Sequence, residues 1–240
     1  MSRPRDRTGP SLVVGVGGDA PVLLGGVASP VGWWVSFIEA PEGEVETWLT
    51  DRWFQGRRFT VAEPGPYPQC LRELEPLESP WTKHLLIEVG DWTMHLSNSL
   101  LGGDPSAPGP GLSRGLDCRV VIAGHSQRHG PGHEGTALWV FGPEGRAPLQ
   151  YVRTVQVDCA DGRWSWHESG EPLGFENVDR YSARRKRDRF DRELLIEYLA
   201  AFGLFPDDPA TFGDVRLISG EPTTGRSISI AQLREDLGLE

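Results

Sequence analysis

The run Gln150–Gly170, QYVRTVQVDCADGRWSWHESG, decides the reading of the fold. Tyr151 to Val157 reads as a strand, Asp161-Gly162 as a tight turn, and Arg163 to His167 as a second strand. Asp-Gly between two strand-like runs is a strong hairpin signal, because both turn positions need positive φ. From about Asn177 the period changes: Phe190, Leu194, Tyr198, Ala201 and Phe202 fall at i, i+4, i+8, i+11 and i+12, the stripe of an amphipathic helix. Gly203 supplies a left-handed stop and Pro206 prevents a restart. A sheet hairpin therefore hands over to a long, arginine-rich helix lying across the sheet.

Working outward, Leu85, Ile87 and Val89 alternate, Gly90-Asp91 turns, and Trp92, Met94 and Leu96 alternate against Thr93, His95 and Ser97, a half-buried antiparallel hairpin. Arg119–Ala123 and Ala137–Phe141 read as buried strands, the second ended by Gly142-Pro143. Two loops separate them from their neighbours, Leu101–Arg114 and residues 124–135. Upstream, Val31–Ile38 and Arg57–Ala62 predict strands, and Glu44–Phe54 and Gln69–Glu78 short helices; downstream, Val215–Ile218 predicts a strand and Ile230–Leu237 a last helix. Runs of strands followed by helices, without regular alternation, give an α+β fold: an antiparallel sheet of five or more strands with a long C-terminal helix packed on it. Residues 1–10 read as a disordered arm, 11–80 as an N-terminal subdomain or an extension of the sheet, and 81–240 as the α+β core domain.

The 240-residue chain is long enough to bury a real core, and its 9 tryptophans mark it as folded. Its net charge is −10, yet residues 179–193 carry seven basic and four acidic side chains, leaving −13 on the rest. A body so acidic repels nucleic acid and favours basic partners. Cys70, Cys118 and Cys159 are odd in number, widely spaced and without a Cys-x-x-Cys pair, the pattern of reduced thiols in a cytoplasmic protein. Asp19 and Pro21 interrupt the only apolar run that resembles a signal peptide, and no stretch is apolar enough to span a membrane.

Gly124-His125-Ser126-Gln127 after a buried strand has the look of a nucleophile elbow, but Arg128 stands where a glycine is needed and Gly130-Pro131-Gly132 forbids the following helix. Gly15-x-Gly17-x-x-Ala20 fits a dinucleotide fingerprint only formally, since an extended run follows it. Asp158, Asp161, Glu168 and Glu171 flank a hairpin turn, where carboxylates are ordinarily solvated. His125, His129 and His133 lie four apart; with glycine and proline between them no helix aligns them, but a loop can still wrap a metal, and they are the candidate metal ligands. Trp164 and Trp166 point to one face of a strand and serve as partner anchors if exposed. Arg184, Arg185 and Arg187 belong to a segment with seven cations in thirteen residues and are candidate partner contacts; phosphate contact competes there with ion pairs such as Asp188 with Arg184, Arg185 and Arg192, and pairing within the acidic body is the favoured reading. No cofactor is implied.

Several phrases, among them Asp91-Trp92-Thr93, Asn98-Ser99-Leu100, Gly103-Asp104-Pro105, Phe141-Gly142-Pro143, Tyr151-Val152-Arg153-Thr154-Val155 and Arg187-Asp188-Arg189-Phe190, are similar to a group of uncharacterised bacterial proteins of actinobacterial type. The resemblance covers roughly residues 80–215 and implies an association with toxin immunity, but no known activity. Together these readings point to a non-enzymatic, acidic protein-binding module, immunity- or antitoxin-like, that neutralises a basic protein partner. The alternative is a small-molecule- or metal-binding, enzyme-like domain that uses loops 101–114 and 124–135.

Overall fold

The computed structural model describes residues 34–100, 108–126 and 134–236. The expected N-terminal arm, the runs before Val31, and His129 and His133 lie outside these residues. The fold is α+β, built on one nine-stranded sheet in which every neighbouring pair is antiparallel.

The strands in chain order are β1 (Trp34–Ile38), β2 (Phe59–Ala62), β3 (Leu77–Ser79), β4 (Lys83–Val89), β5 (Trp92–Ser97), β6 (Val120–Ser126), β7 (Glu134–Arg146), β8 (Tyr151–Ala160), β9 (Arg163–Ser169), β10 (Val215–Gly220) and β11 (Arg226–Ile228). The large sheet runs β2-β10-β4-β5-β1-β6-β7-β8-β9, while β3 and β11 form a separate two-stranded ribbon. Residues 34–62, read from sequence as subdomain or sheet extension, place β1 in the middle of this sheet and β2 at its edge.

The deciding hairpin forms as its sequence requires. Cys159 pairs with Trp164 and Ala160 with Arg163, and Asp161 and Gly162 take φ of 50° and 74°. That is the positive-φ pair of a turn whose twist matches its strands.

Both faces of the sheet carry apolar side chains. On the first, Leu138, Val155 and Val157 meet Leu194, Leu195 and Leu199 of helix α3 (Arg192–Ala201). On the second, Ile38, Leu86, Val120 and Ile122 meet helices α1 (Glu42–Trp48) and α2 (Gly109–Leu116), with Val45, Leu49 and Leu112 buried. Burying each such side chain contributes about 1.5–3 kcal/mol. Helix α4 (Ile230–Asp236) closes the described chain.

Four expectations need correction. The long arginine-rich helix is shorter: α3 has 10 residues and begins after Asp191, whose side chain accepts the Leu194 amide at 3.0 Å as an N-cap. Residues 178–182 and 186–188 form only 3₁₀ turns. Arginine side chains bond carbonyls that a helix would use internally, Arg189 Nε to Ala183 O at 3.0 Å and Arg180 Nε to Asp188 O at 2.9 Å. The stop at Gly203 does form, with φ of 78° and the Leu204 amide on Leu199 O.

The region read as a loop over 101–114 contains α2, which starts at Gly109 with proline in its first turn. Gly111 and Gly115 of this helix lie against the ring of Trp48, and at Gly115 a side chain would block the approach. The second short helix is a 3₁₀ segment, Gln69–Leu74, followed by β3. Finally, β7 does not stop at Gly142-Pro143 but continues to Arg146 through two register shifts opposite β8.

Candidate functional site

Register places the singled-out residues. Along β9, Trp164 stands opposite Cys159, Trp166 opposite Val157 and Glu168 opposite Val155, so both tryptophans lie on the first face of the sheet. That face is covered by residues 178–191 and α3, and both rings are half-buried against its core. Trp166 packs on Tyr181, ring centroids 4.9 Å apart, and the Arg189 guanidinium sits 5.8 Å from its ring centre. It is therefore tied into the fold, whereas Trp164 lines a cleft of about 470 Å³ at the end of the sheet.

The cleft brings together residues far apart in the chain. His125 and Ser126 come from the end of β6, Glu134 and Thr136 from the start of β7, Trp164 from β9, and Arg187, Asp188 and Asp191 from the turn before α3. His125 Nδ1 and Thr136 Oγ1 share a hydrogen bond of 2.9 Å across the β6–β7 pair. Of the three histidines proposed as metal ligands, only His125 is described, and among the described residues no group of three or more His, Cys, Asp or Glu is placed to hold a metal.

The arginine-rich segment divides into two sets. Arg180 pairs with Asp191, Arg189 with Trp166 and the Ala183 carbonyl, and Arg192 with Asp207. The pairs expected between Asp188 and Arg184, Arg185 or Arg192 do not form; Asp188 meets its neighbour Arg187 at 3.6 Å instead. The side chains of Arg184, Arg185 and Lys186 are exposed and have no partner among the described residues.

A buried network fixes this segment to the sheet. Arg153 of β8 is 1% exposed, and its guanidinium makes a fork with Glu176, Nε to Oε1 at 2.9 Å and Nη2 to Oε2 at 2.8 Å. Arg153 Nη1 also donates to Gly170 O at 2.7 Å, Tyr181 OH donates to Glu176 Oε2 at 2.7 Å, and the Tyr181 and Tyr198 hydroxyls lie 3.0 Å apart. The pairing of a buried charge with a fully buried counter-charge and several hydrogen bonds is what makes such a burial tolerable. Sequence gave no sign of it, because Arg153 sits in an ordinary strand alternation.

Reading the β4–β5 hairpin as half-buried also missed the second face. Thr93, His95 and Ser97 are buried, as is His84, beneath α1 and the π-helical turn Leu49–Trp53. The His84 and His95 rings stack with centroids 5.0 Å apart, and Trp53 and Phe54 close over His84 edge-on at 5.9 and 5.3 Å. Burial holds both imidazoles neutral: it lowers His95 to about 3, and it lowers His84 well below its usual value with His95 adding to the effect. Three buried nitrogens here, His84 Nε2, His95 Nδ1 and Trp81 Nε1, have no hydrogen-bond partner among the described residues. π-Helical turns are rare and concentrate near functional sites.

Beyond β7 the second face is bare among the described residues. Trp139, Tyr151, Thr154, Gln156, His167 and Ser169 line a shallow groove of about 380 Å³ across β7, β8 and β9. Gln156 is held in place, accepting from Trp139 Nε1 at 3.2 Å and donating to Asp158 at 3.4 Å. No helix of the described residues is long and apolar enough to cross a membrane. No family model, curated protein or solved structure matches the chain.

Proposed function

We propose that this chain is a non-enzymatic binding module whose acidic body neutralises a basic protein partner, as an immunity or antitoxin protein does. The observation that carries the reading is the groove across β7–β9, uncovered among the described residues, with Trp139, Tyr151, Gln156 and His167 presented together. Aromatic rings flanked by fixed hydrogen-bonding groups are the composition of interface hot spots. Asp158 lies on the same side, and the net charge of −10 favours a cationic partner over an anionic one. Occlusion of a basic surface needs complementarity and no reacting group, and a charge of this sign speeds encounter.

The test is capture of a partner from the native cell by the tagged full chain, repeated with Tyr151→Ala/His167→Ala. A stoichiometric basic protein, retained by the wild type, lost by the double variant and associating more slowly as salt rises, supports the reading. A partner that is acidic, or one whose capture ignores both the variant and the salt, overturns it.

A further inference from the structure

The cleft at the end of the first face has no part in that reading, and its chemistry points elsewhere. A run of four cations, Arg184 to Arg187, is exposed on a turn whose backbone is held by the Asp188 amide on Arg185 O and the Arg189 amide on Lys186 O, both at 3.0 Å. In a chain with 34 acidic residues, the first three of these cations are left without a partner among the described residues. Clustered like charges repel one another, so the arrangement costs free energy unless an anion joins it.

Arg187 is the link between this run and the cleft, since it lines the cavity as well. The two aspartates beside it are already engaged: Asp191 caps α3 and pairs with Arg180, and Asp188 meets Arg187. Glu134 on the opposite wall is the remaining carboxylate among the described residues of the lining. Val157 and Phe190 supply an apolar floor, Trp164 an aromatic wall, and Ser126 and Thr136 hydroxyl groups. A volume of about 470 Å³ is in the range of small-molecule sites.

We propose that the cleft binds a mononucleotide, with its base against Trp164 and its phosphates on the Arg184–Arg187 run. Base stacking on tryptophan is tolerant of base identity, and guanidinium forks match phosphate oxygens. The site is a binding site; no turnover is assigned to it, and it stands or falls independently of the protein-binding groove on the other face.

The experiment is titration of the full chain with ATP, GTP, inorganic triphosphate and a single-stranded RNA oligonucleotide, read by calorimetry and tryptophan fluorescence. The expected result is saturable binding of ATP and GTP with quenching, weakened about tenfold in Arg187→Ala and in Arg184→Ala/Arg185→Ala/Lys186→Ala. These side chains are exposed, so unchanged thermal melting confirms that the variants fold. Trp164→Phe keeps a ring and most of the affinity, whereas Trp164→Leu brings ATP down to the affinity of triphosphate. Absence of saturation by nucleotide at about 1 mM, triphosphate binding as tightly as ATP to the wild type, or binding of the oligonucleotide alone each overturns the proposal.

Discussion

His84 Nδ1 lies 2.8 Å from His95 Nε2, with both rings wholly buried in the second face of the sheet. One ring must donate and the other accept, so the contact is lost once both rings are protonated. In the unfolded chain both imidazoles take up protons as pH falls through about 6.5, while in the folded chain burial keeps both pKa values below that. Unfolded chains therefore bind more protons below that pH, and stability falls with acidification. The contribution of the two groups is flat above about pH 6.5, and stability declines below it by up to about 2.7 kcal/mol per pH unit, toward the His95 value of about 3. Urea denaturation at a series of pH values measures the slope, and His84→Leu/His95→Leu should flatten that limb.

Glu176 holds Arg153 through the buried fork, so Glu176→Ala leaves a buried guanidinium with backbone carbonyls and Glu168 as its remaining carboxylate, and Glu168 is 41% exposed. The expected loss is about 3–5 kcal/mol. Hydrogen exchange should show residues 171–191 opening before the sheet does. A uniform loss of protection across all strands would count against this network as the clamp.

Gly162 sits at φ of 74° with open space around its Cα. Gly162→Ala meets no neighbour, so its cost is conformational alone, about 1–2 kcal/mol. Thermal unfolding should shift while the sheet signal in circular dichroism stays the same.

Cys70 and Cys118 are buried, and burial pushes their thiols up to about 11 and about 12. Thiolate is the reactive form, so both should resist iodoacetamide at neutral pH. Mass spectrometry after labelling with and without denaturant checks this; modification of either cysteine in the native protein contradicts their placement.

The placement of Trp48 gives a last prediction. Gly115→Ala drives a methyl into the Trp48 indole, and unlike Gly162 the site lies between two packed helices. Overpacking of this kind costs about 1–3 kcal/mol, and the Trp48 contribution to fluorescence should change with it.

Local signals carried the parts of the fold that depend on neighbours in the chain. Asp161-Gly162 selected its turn, the alternation over Tyr151–Val157 its strand, and Gly203 the end of α3, because each rests on φ preference or side-chain period within a few residues. Where the arginine-rich segment goes was not legible. Its spacing satisfied a helix, but Arg153, some thirty residues away, and Asp191 at the cap set a different path, and no local pattern announces a distant counter-charge.

The sequence by itself determined the class of this protein, an antiparallel α+β body with a strongly acidic balance, since composition and periodicity suffice for both. Only the tertiary structure decided that β1 runs through the middle of the sheet, that His84 and His95 face each other in a buried interior, and that Trp164, His125 and Arg187 meet around one cleft. These are non-local facts. They follow from which strands pair and which face each helix covers, and those choices are made by the summed burial of apolar surface rather than by the conformational preference of any one stretch.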